Sequence, residues 1–312
     1  MKTRILLSLL AAGVLLAGCS KSENEGGEFP GDGQSVAIRL SSGIGDAARA
    51  ASKAPVTADA PATVQIEGWE SNTGAAGYTA ATSTWQSTAA VTVGETANAI
   101  TLSPVQFYNA DEKIKTYIKG WYPQVASANG TVTFTNTDGT VDVLYAAEVS
   151  GDKKAEVSQP LVFNHKSAQL VFKVVKGEGL KEGTKIKTIK VKNTAIPTSL
   201  TLSTNTVNYT AKSELTVPNI TVKEIGTAAA VAGDPLMVKP VNDNTTVKLY
   251  IETTTDGTTV AAKYDDVPLT TSDGKLTEGS AYTVTLTFKQ VGVSLEANIT
   301  PWTAATGEGT VI

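Results

Sequence analysis

The sequence predicts an all-β protein, two antiparallel β-sandwiches in tandem, and three observations carry that expectation. Thr, Val, Ala and Gly dominate while only two methionines occur, a balance that favours strands over helices. Short runs alternating apolar and polar residues recur, separated by turn residues roughly 8–12 positions apart. No stretch holds a helical period over three turns. No internal repeat is apparent.

The chain opens on a leader. Lys2 and Arg4 precede an apolar run over residues 5–17, then small residues and Cys19, the only cysteine. A basic head, a short apolar middle and a small-residue exit make a secretory signal peptide over residues 1–18. The run is shorter than the roughly 20 residues a membrane span needs. Leu16-Ala17-Gly18-Cys19 resembles a bacterial lipobox, which implies lipidation of Cys19 and cleavage before it. Several acyl chains, at roughly 0.8 kcal/mol per buried CH₂, anchor a protein stably where one does not. Residues 20–34 (SKSENEGGEFPGDGQ) are too polar to bury anything, so residues 19–35 read as a lipidated flexible tether. Acidic residues behind Cys19 also resemble a surface-export signal, interrupted by Lys21.

Ordered structure should begin at Val36-Ala37-Ile38-Arg39-Leu40, which alternates with the period of a half-buried strand. Residues 43–62 are small, Ala-rich and broken by Pro55 and Pro61, and read as an exposed connector. Strand patterns then follow at 63–69, 89–93, 99–102, 113–121, 131–135 and 140–146. Asn136-Thr137-Asp138-Gly139 is expected to close a hairpin between the last two, and Thr255-Asp256-Gly257 another between 247–254 and 259–264. Later, Leu170, Phe172 and Val174 share a face, as do Val247, Leu249 and Ile251, and Tyr282, Val284, Leu286 and Phe288. Pro197, Pro218 and Pro235 are expected at strand ends or edges. A boundary is placed near Ser158-Gln159-Pro160, which gives domains at 36–158 and 159–312. About 290 residues after the leader suffice for two domains.

Chemistry is sparse. The formal charge is −4, and −6 once Lys2 and Arg4 leave with the leader, so there is no basic footprint for nucleic acid. Without a cysteine pair, stability must come from apolar cores. His165 is the only histidine and sits in an apolar strand pattern, where a structural hydrogen-bonding role fits better than catalysis. Asp265-Asp266 and Asn242-Asp243-Asn244 lack the spacing of a calcium loop and read as solvated turns. Gly26-Gly27 and Gly177-Glu178-Gly179 lack the strand–loop–helix setting of a phosphate cradle. Trp69, Trp85, Trp121 and Trp302, with Tyr78 and Tyr122, suit either a sugar-stacking platform or a sandwich core, and core packing is the better fit. No enzyme, metal site or cofactor is expected.

Three stretches, taken in order, resemble the fimbrillin family, the type V pilus subunits of anaerobic gut and oral bacteria. They are Asp142-Val143-Leu144-Tyr145-Ala146, residues 161–175 (LVFNHKSAQLVFKVV), and residues 276–302 with LTEGSAYTVTLTF and ANITPW. The lipobox and the Ala-rich segment around Arg49 extend the resemblance over most of the chain. It implies two transthyretin-like sandwiches, export as a lipoprotein to the outer membrane and cell surface, and polymerisation by protease-triggered strand exchange. In that scheme residues 36–49 hold a removable first strand, with Val36, Ile38, Leu40 and Ile44 as its inward set. An Arg-directed protease would cut Arg49–Ala50, with Lys53 as rival site. Val293, Leu295 and Ile299, in a region near 291–312, would supply the donor strand. The expected role is a stalk or small tip subunit that supports adhesion, with other fimbrial subunits as partners. The alternative is a monomeric, surface-anchored lipoprotein that binds glycans or another surface ligand through its tryptophans.

Overall fold

Residues 35–44, 62–78, 82–91, 98–221, 224–272, 274–290 and 292–301 are described in a computed structural model of the chain. Seventeen strands run through these residues, and no helix occurs among them. The first part of the chain gives β1 (Leu40–Ile44), β2 (Ala62–Ser71), β3 (Trp85–Val91), β4 (Asn98–Ile100), β5 (Lys115–Tyr122), β6 (Thr131–Thr133), β7 (Leu144–Gly151) and β8 (Leu161–His165). The second gives β9 (Ala168–Lys176), β10 (Lys185–Thr201), β11 (Thr206–Thr216), β12 (Ala230–Val231) and β13 (Leu236–Val238). It ends with β14 (Lys248–Thr254), β15 (Ala262–Pro268), β16 (Ser280–Phe288) and β17 (Val293–Pro301).

The first sheet has the order β3-β2-β5-β7-β8-β1-β4 and curls around its own core. Val64, Ile66, Ile118, Leu144, Ala146, Leu161 and Phe163 fill that core, as their period-2 spacing requires. The curl brings the two ends of the sheet together: Thr88 in β3 and Ser103, just past β4, exchange two backbone hydrogen bonds of 2.9 Å. Close approach inside the sheet depends on Gly68, where a Cβ would lie 2.1 Å from Trp85 Cε2.

The other two sheets have the orders β11-β10-β14-β15, with β6 also on β10, and β12-β9-β16-β17, with β13 also on β9. They share one core. Leu170, Phe172 and Val174 meet Tyr282, Val284, Leu286 and Phe288 from one sheet and Ile189, Val191, Leu249 and Ile251 from the other. All three apolar alternations read from the sequence are therefore buried. Pairing is antiparallel except at β1–β8 and β9–β16, which are parallel.

A third core joins the two halves. β10 and β11 form a long arm whose far end presents Leu200, Leu202 and Val207 to the outer face of the first sheet. There it meets Trp69, Tyr78, Trp121, Val143 and Tyr145, with Val132 and Phe134.

Two local expectations differ from this arrangement. The turn at 136–139 forms, with Gly139 at φ 78° and its N–H donating to Asn136 Oδ1 (3.1 Å), but its flanks do not pair as a hairpin. β6 joins β10, while β7 lies between β5 and β8. Pro197 sits inside β10, at an irregularity in its register with β11, where the missing N–H is tolerated. The second expected hairpin is present as β14–β15, its turn held by Asp256 Oδ1, which accepts from Thr258 N–H (2.8 Å) and Thr259 N–H (2.7 Å). Those donors hold the Asp256 carboxyl well below the usual range. β8, which follows residue 158, pairs in the first sheet, so the chain passes to the second core at Lys166-Ser167.

Candidate functional site

The first described segment, residues 35–44, is inserted into the first sheet with partners on both sides. On one side Ile38 N–H donates to Gln106 O (2.8 Å) and Tyr108 N–H to Val36 O (2.9 Å). Leu40, Ser41 and Ser42 then pair antiparallel with Ile100, Ala99 and Asn98 of β4. On the other side Ser42, Gly43 and Ile44 pair parallel with Leu161, Val162 and Phe163 of β8. Removing this segment would part the sheet between β4 and β8 and leave two rows of backbone donors and acceptors without partners, each costly to leave dry.

Its side chains alternate as the sequence pattern requires. Ile38 (5 % exposed) and Leu40 (4 %) enter the first core, with Val36 packed against it, and Ser42 (2 %) is also buried. Arg39 faces outward. The backbone of Ile44 is in register with Phe163. The groove is thus an apolar slot read at every second position, the arrangement used in strand-addition recognition.

The other expected elements lie elsewhere. Val293, Leu295 and Ile299 lie on β17, the last strand of its sheet, in register with β16 from Val293↔Phe288 to Pro301↔Ser280. Val293 and Leu295 pack at the margin of the second core, and Ile299 remains 37 % exposed. Within one chain, then, the expected groove and the expected donor belong to different sheets. Cys19, Arg49, Ala50, Lys53 and Trp302 lie outside the described residues.

The remaining candidates have structural surroundings. His165 is buried, with Nδ1 2.6 Å from Asp142 Oδ2, and burial pushes the Asp142 carboxyl up while His165 opposes the shift. Trp69, Trp85 and Trp121 are buried in the cores, as the preferred reading of these rings expects, and the alternative sugar-stacking platform is not presented by these three. Asp265 and Asp266 both pair with Lys192, and Asn244 is buried with its Nδ2 donating to Thr271 Oγ1 (2.9 Å). Among the described residues, no three His, Cys, Asp or Glu side chains converge on a metal site.

One constellation was missed by sequence reasoning. Lys119 of β5 points from the outer face of the first sheet to the tip of the β10–β11 arm and is buried. Its Nζ donates to Asn205 Oδ1 (2.7 Å) and to Leu202 O, and lies 3.7 Å from the centre of the Tyr78 ring. Tyr145 OH donates to the same Asn205 oxygen (2.6 Å), and Tyr78 OH donates to Glu148. Burial lowers the Lys119 pKa to about 8, with Glu148 opposing, and burial raises both tyrosines. The unfolded chain, with an ordinary lysine near 10.5, then binds more protons between about pH 8 and 10.5. The Lys119 contribution to stability is accordingly expected to rise with pH across that window, by at most about 1.4 kcal/mol per unit, while Tyr78 and Tyr145, which deprotonate more readily in the unfolded chain, oppose it at the upper end. Urea titrations of the wild type and Lys119→Met should differ in slope there and run parallel near neutrality. Equal slopes throughout would contradict the burial of this charge.

The Fimbrillin-like family matches residues 52–302, a span that begins after the first strand. A search of curated sequences finds no match. Among solved structures, a candidate cell adhesion protein from Bacteroides uniformis is similar, at TM-score 0.57 and 19 % identity, covering 88 % of this chain and 100 % of that one. A fimbrial protein from Bacteroides vulgatus is similar at TM-score 0.52 and 15 % identity, covering 77 % of this chain and 93 % of that one. At these identities the two structures speak to the fold alone, which they share. The family match spans most of the sequence and is one of fimbrial proteins rather than enzymes. The chain belongs to the Fimbrillin-like family.

Proposed function

We propose that this protein is a structural subunit, in the stalk or at a small tip, of a surface fimbria that supports adhesion. It is exported as a lipoprotein, held at the outer membrane through acylated Cys19, and polymerised by strand exchange once a protease cuts Arg49–Ala50. One observation carries the reading: residues 36–44 complete the first sheet from between two partners, yet connect to the rest of it only through the Ala-rich stretch that holds Arg49.

The physics favours replacement over simple loss. An emptied groove exposes apolar pockets and unpaired strand edges, a state prone to aggregation. A strand from a neighbour restores the hydrogen bonds and refills the pockets. Because the donor and the groove are different surfaces, the contact is heterologous and does not close on itself, so it propagates as a filament.

Limited trypsin digestion of the folded chain tests this. The expected first product begins at Ala50, and concentrating it should give ladders that resist SDS. A first product beginning at Ala54 would move the cut to Lys53. A cut protein that stays monomeric at high concentration would end the strand-exchange reading and leave an anchored fimbrillin-like lipoprotein.

A further inference from the structure

Gly177-Glu178-Gly179, which lacks the setting of a phosphate cradle, has another use in the fold. The loop over residues 177–184, between β9 and β10, lies against the end of β16. Gly177 N–H donates to Phe288 O (2.7 Å) and Gln290 N–H to Glu178 O (3.0 Å). Contact this close needs both glycines. A Cβ on Gly177 would lie 2.9 Å from Phe288 O, and one on Gly179, at φ 72°, would lie 2.8 Å from Gln290 Cβ. Thr184 Oγ1 donates to Lys181 O (2.6 Å) and closes the loop on itself. These bonds bring Lys181 and Lys289 into the wall of one cleft of about 260 Å³. Further wall comes from Leu180, Thr253 of β14, and Ala262 and Tyr264 of β15.

The polar side chains of this cleft are unmatched. Among the described residues, Lys181 and Lys289 form no ion pair, and the Tyr264 hydroxyl makes no hydrogen bond. The Thr253 hydroxyl makes none either, although that residue is only 1 % exposed. Elsewhere such groups are matched: Lys166, Lys190 and Lys192 each reach a carboxylate, and Tyr145, Tyr209 and Tyr250 each donate to an oxygen. A buried hydroxyl without a partner costs free energy that a bound ligand recovers. No acidic residue lines the cleft, so it is locally positive in a chain of formal charge −4.

We propose that this cleft binds one acidic sugar, a pyranose ring bearing a carboxylate, at the end of a surface glycan. Lys181 and Lys289 attract the carboxylate, the Thr253 and Tyr264 hydroxyls serve the ring hydroxyls, and Leu180, Ala262 and the Tyr264 ring offer apolar surface to the C–H face. Size sets the limit. Drug-sized ligands occupy roughly 300–1,000 Å³, so the cleft suits one ring rather than a chain of them. The apolar wall beside the cations favours a sugar over an inorganic anion, which has no apolar face to bury.

Position suits presentation to a ligand on another surface. β10 begins at Lys185, next to Thr184 in the cleft wall, and its far end carries Leu200 into the core against the first sheet. At roughly 3.3 Å per residue, the cleft lies about 50 Å along β10 from that contact. The proposal goes beyond the assembly reading and does not depend on it, because the uncut monomer carries the whole cleft.

The test titrates four probes into the uncut chain from residue 20 onward, followed by amide NMR shifts. They are methyl β-glucuronide, the methyl glycoside of N-acetylneuraminic acid, methyl β-glucoside and inorganic phosphate. At least one acidic sugar is expected to bind with a Kd of about millimolar order, its shifts centred on residues 179–184, 253–255 and 289–290. The glucoside should bind at least about tenfold more weakly, for want of a charge-assisted bond. Lys181→Ala and Lys289→Ala, both at exposed positions, should melt with the wild type and each weaken binding at least about threefold. Thr253→Val keeps the shape without the hydroxyl and should weaken it too. Equal binding of glucuronide and glucoside would overturn the role of the lysines. Phosphate binding as tight as that of the better sugar would overturn the sugar. No shift at the cleft from either acidic sugar at about 50 mM would end the proposal. A chain that binds when uncut but never polymerises when cut would sink strand exchange and leave the cleft assignment standing.

Discussion

Arg49→Ala subunits are expected to accumulate as full-length lipoproteins and to form no fibre. While residues 36–44 remain attached to the strand that follows, they compete for the groove at an effective concentration in the millimolar range. A neighbour's strand, supplied at about micromolar concentration, then starts roughly a thousandfold behind, about 4 kcal/mol. Better packing of the donor does not readily overcome such a handicap. Cleavage removes it by turning the resident strand into a separate piece that dilutes away once it leaves. Immunoblots of surface fractions should show the Arg49→Ala protein as a single band at full length and no ladder. Arg49→Lys, which restores a trypsin site, should recover assembly in vitro. Ordinary fibres from Arg49→Ala would place the cut at another bond or remove the need for one.

Trp121→Ala is expected to cost about 3–5 kcal/mol and to loosen one half of the molecule from the other. The ring is fully buried in the core between the first sheet and the β10–β11 arm, and its Nε1 donates to Val125 O (2.8 Å). Truncation therefore leaves both a cavity and an unsatisfied carbonyl. Urea unfolding followed by circular dichroism should show a lower midpoint and a broadened or divided transition. Trp85→Ala is the contrast, because that ring packs inside the first core. It should lower stability without dividing the transition. If the two variants behave alike, the arm does not couple the halves.

What could be read from the sequence follows from how local each signal is. The alternation Tyr282, Val284, Leu286, Phe288 specifies its own buried face, and all four side chains are fully buried. Ile38 and Leu40 are likewise buried, so the inward face at those two positions was legible without knowing its neighbours. Pairing was not. Gly139 demands a turn at 136–139, but nothing local states whether the strands on either side meet, and β6 leaves for β10. β10 was obscured by Pro197, which sits at a register irregularity, and by alternating lysines that resemble a solvated surface. Lys119 gave no sign of burial, because its partners Leu202 and Asn205 lie more than eighty residues away.

The link between β8 and β9, the two residues Lys166-Ser167, has a mechanical consequence. β8 forms one wall of the slot that holds the first strand, and β9 lies parallel to β16 over eight paired positions, with β17 next beyond. In a filament built by strand exchange, tension entering at the slot would pass along β8 into β9 and across to β16, loading that parallel ladder in shear rather than opening it end first. The hydrogen bonds of the ladder would then share the pull, and the strongest part of the fibre would lie inside each subunit.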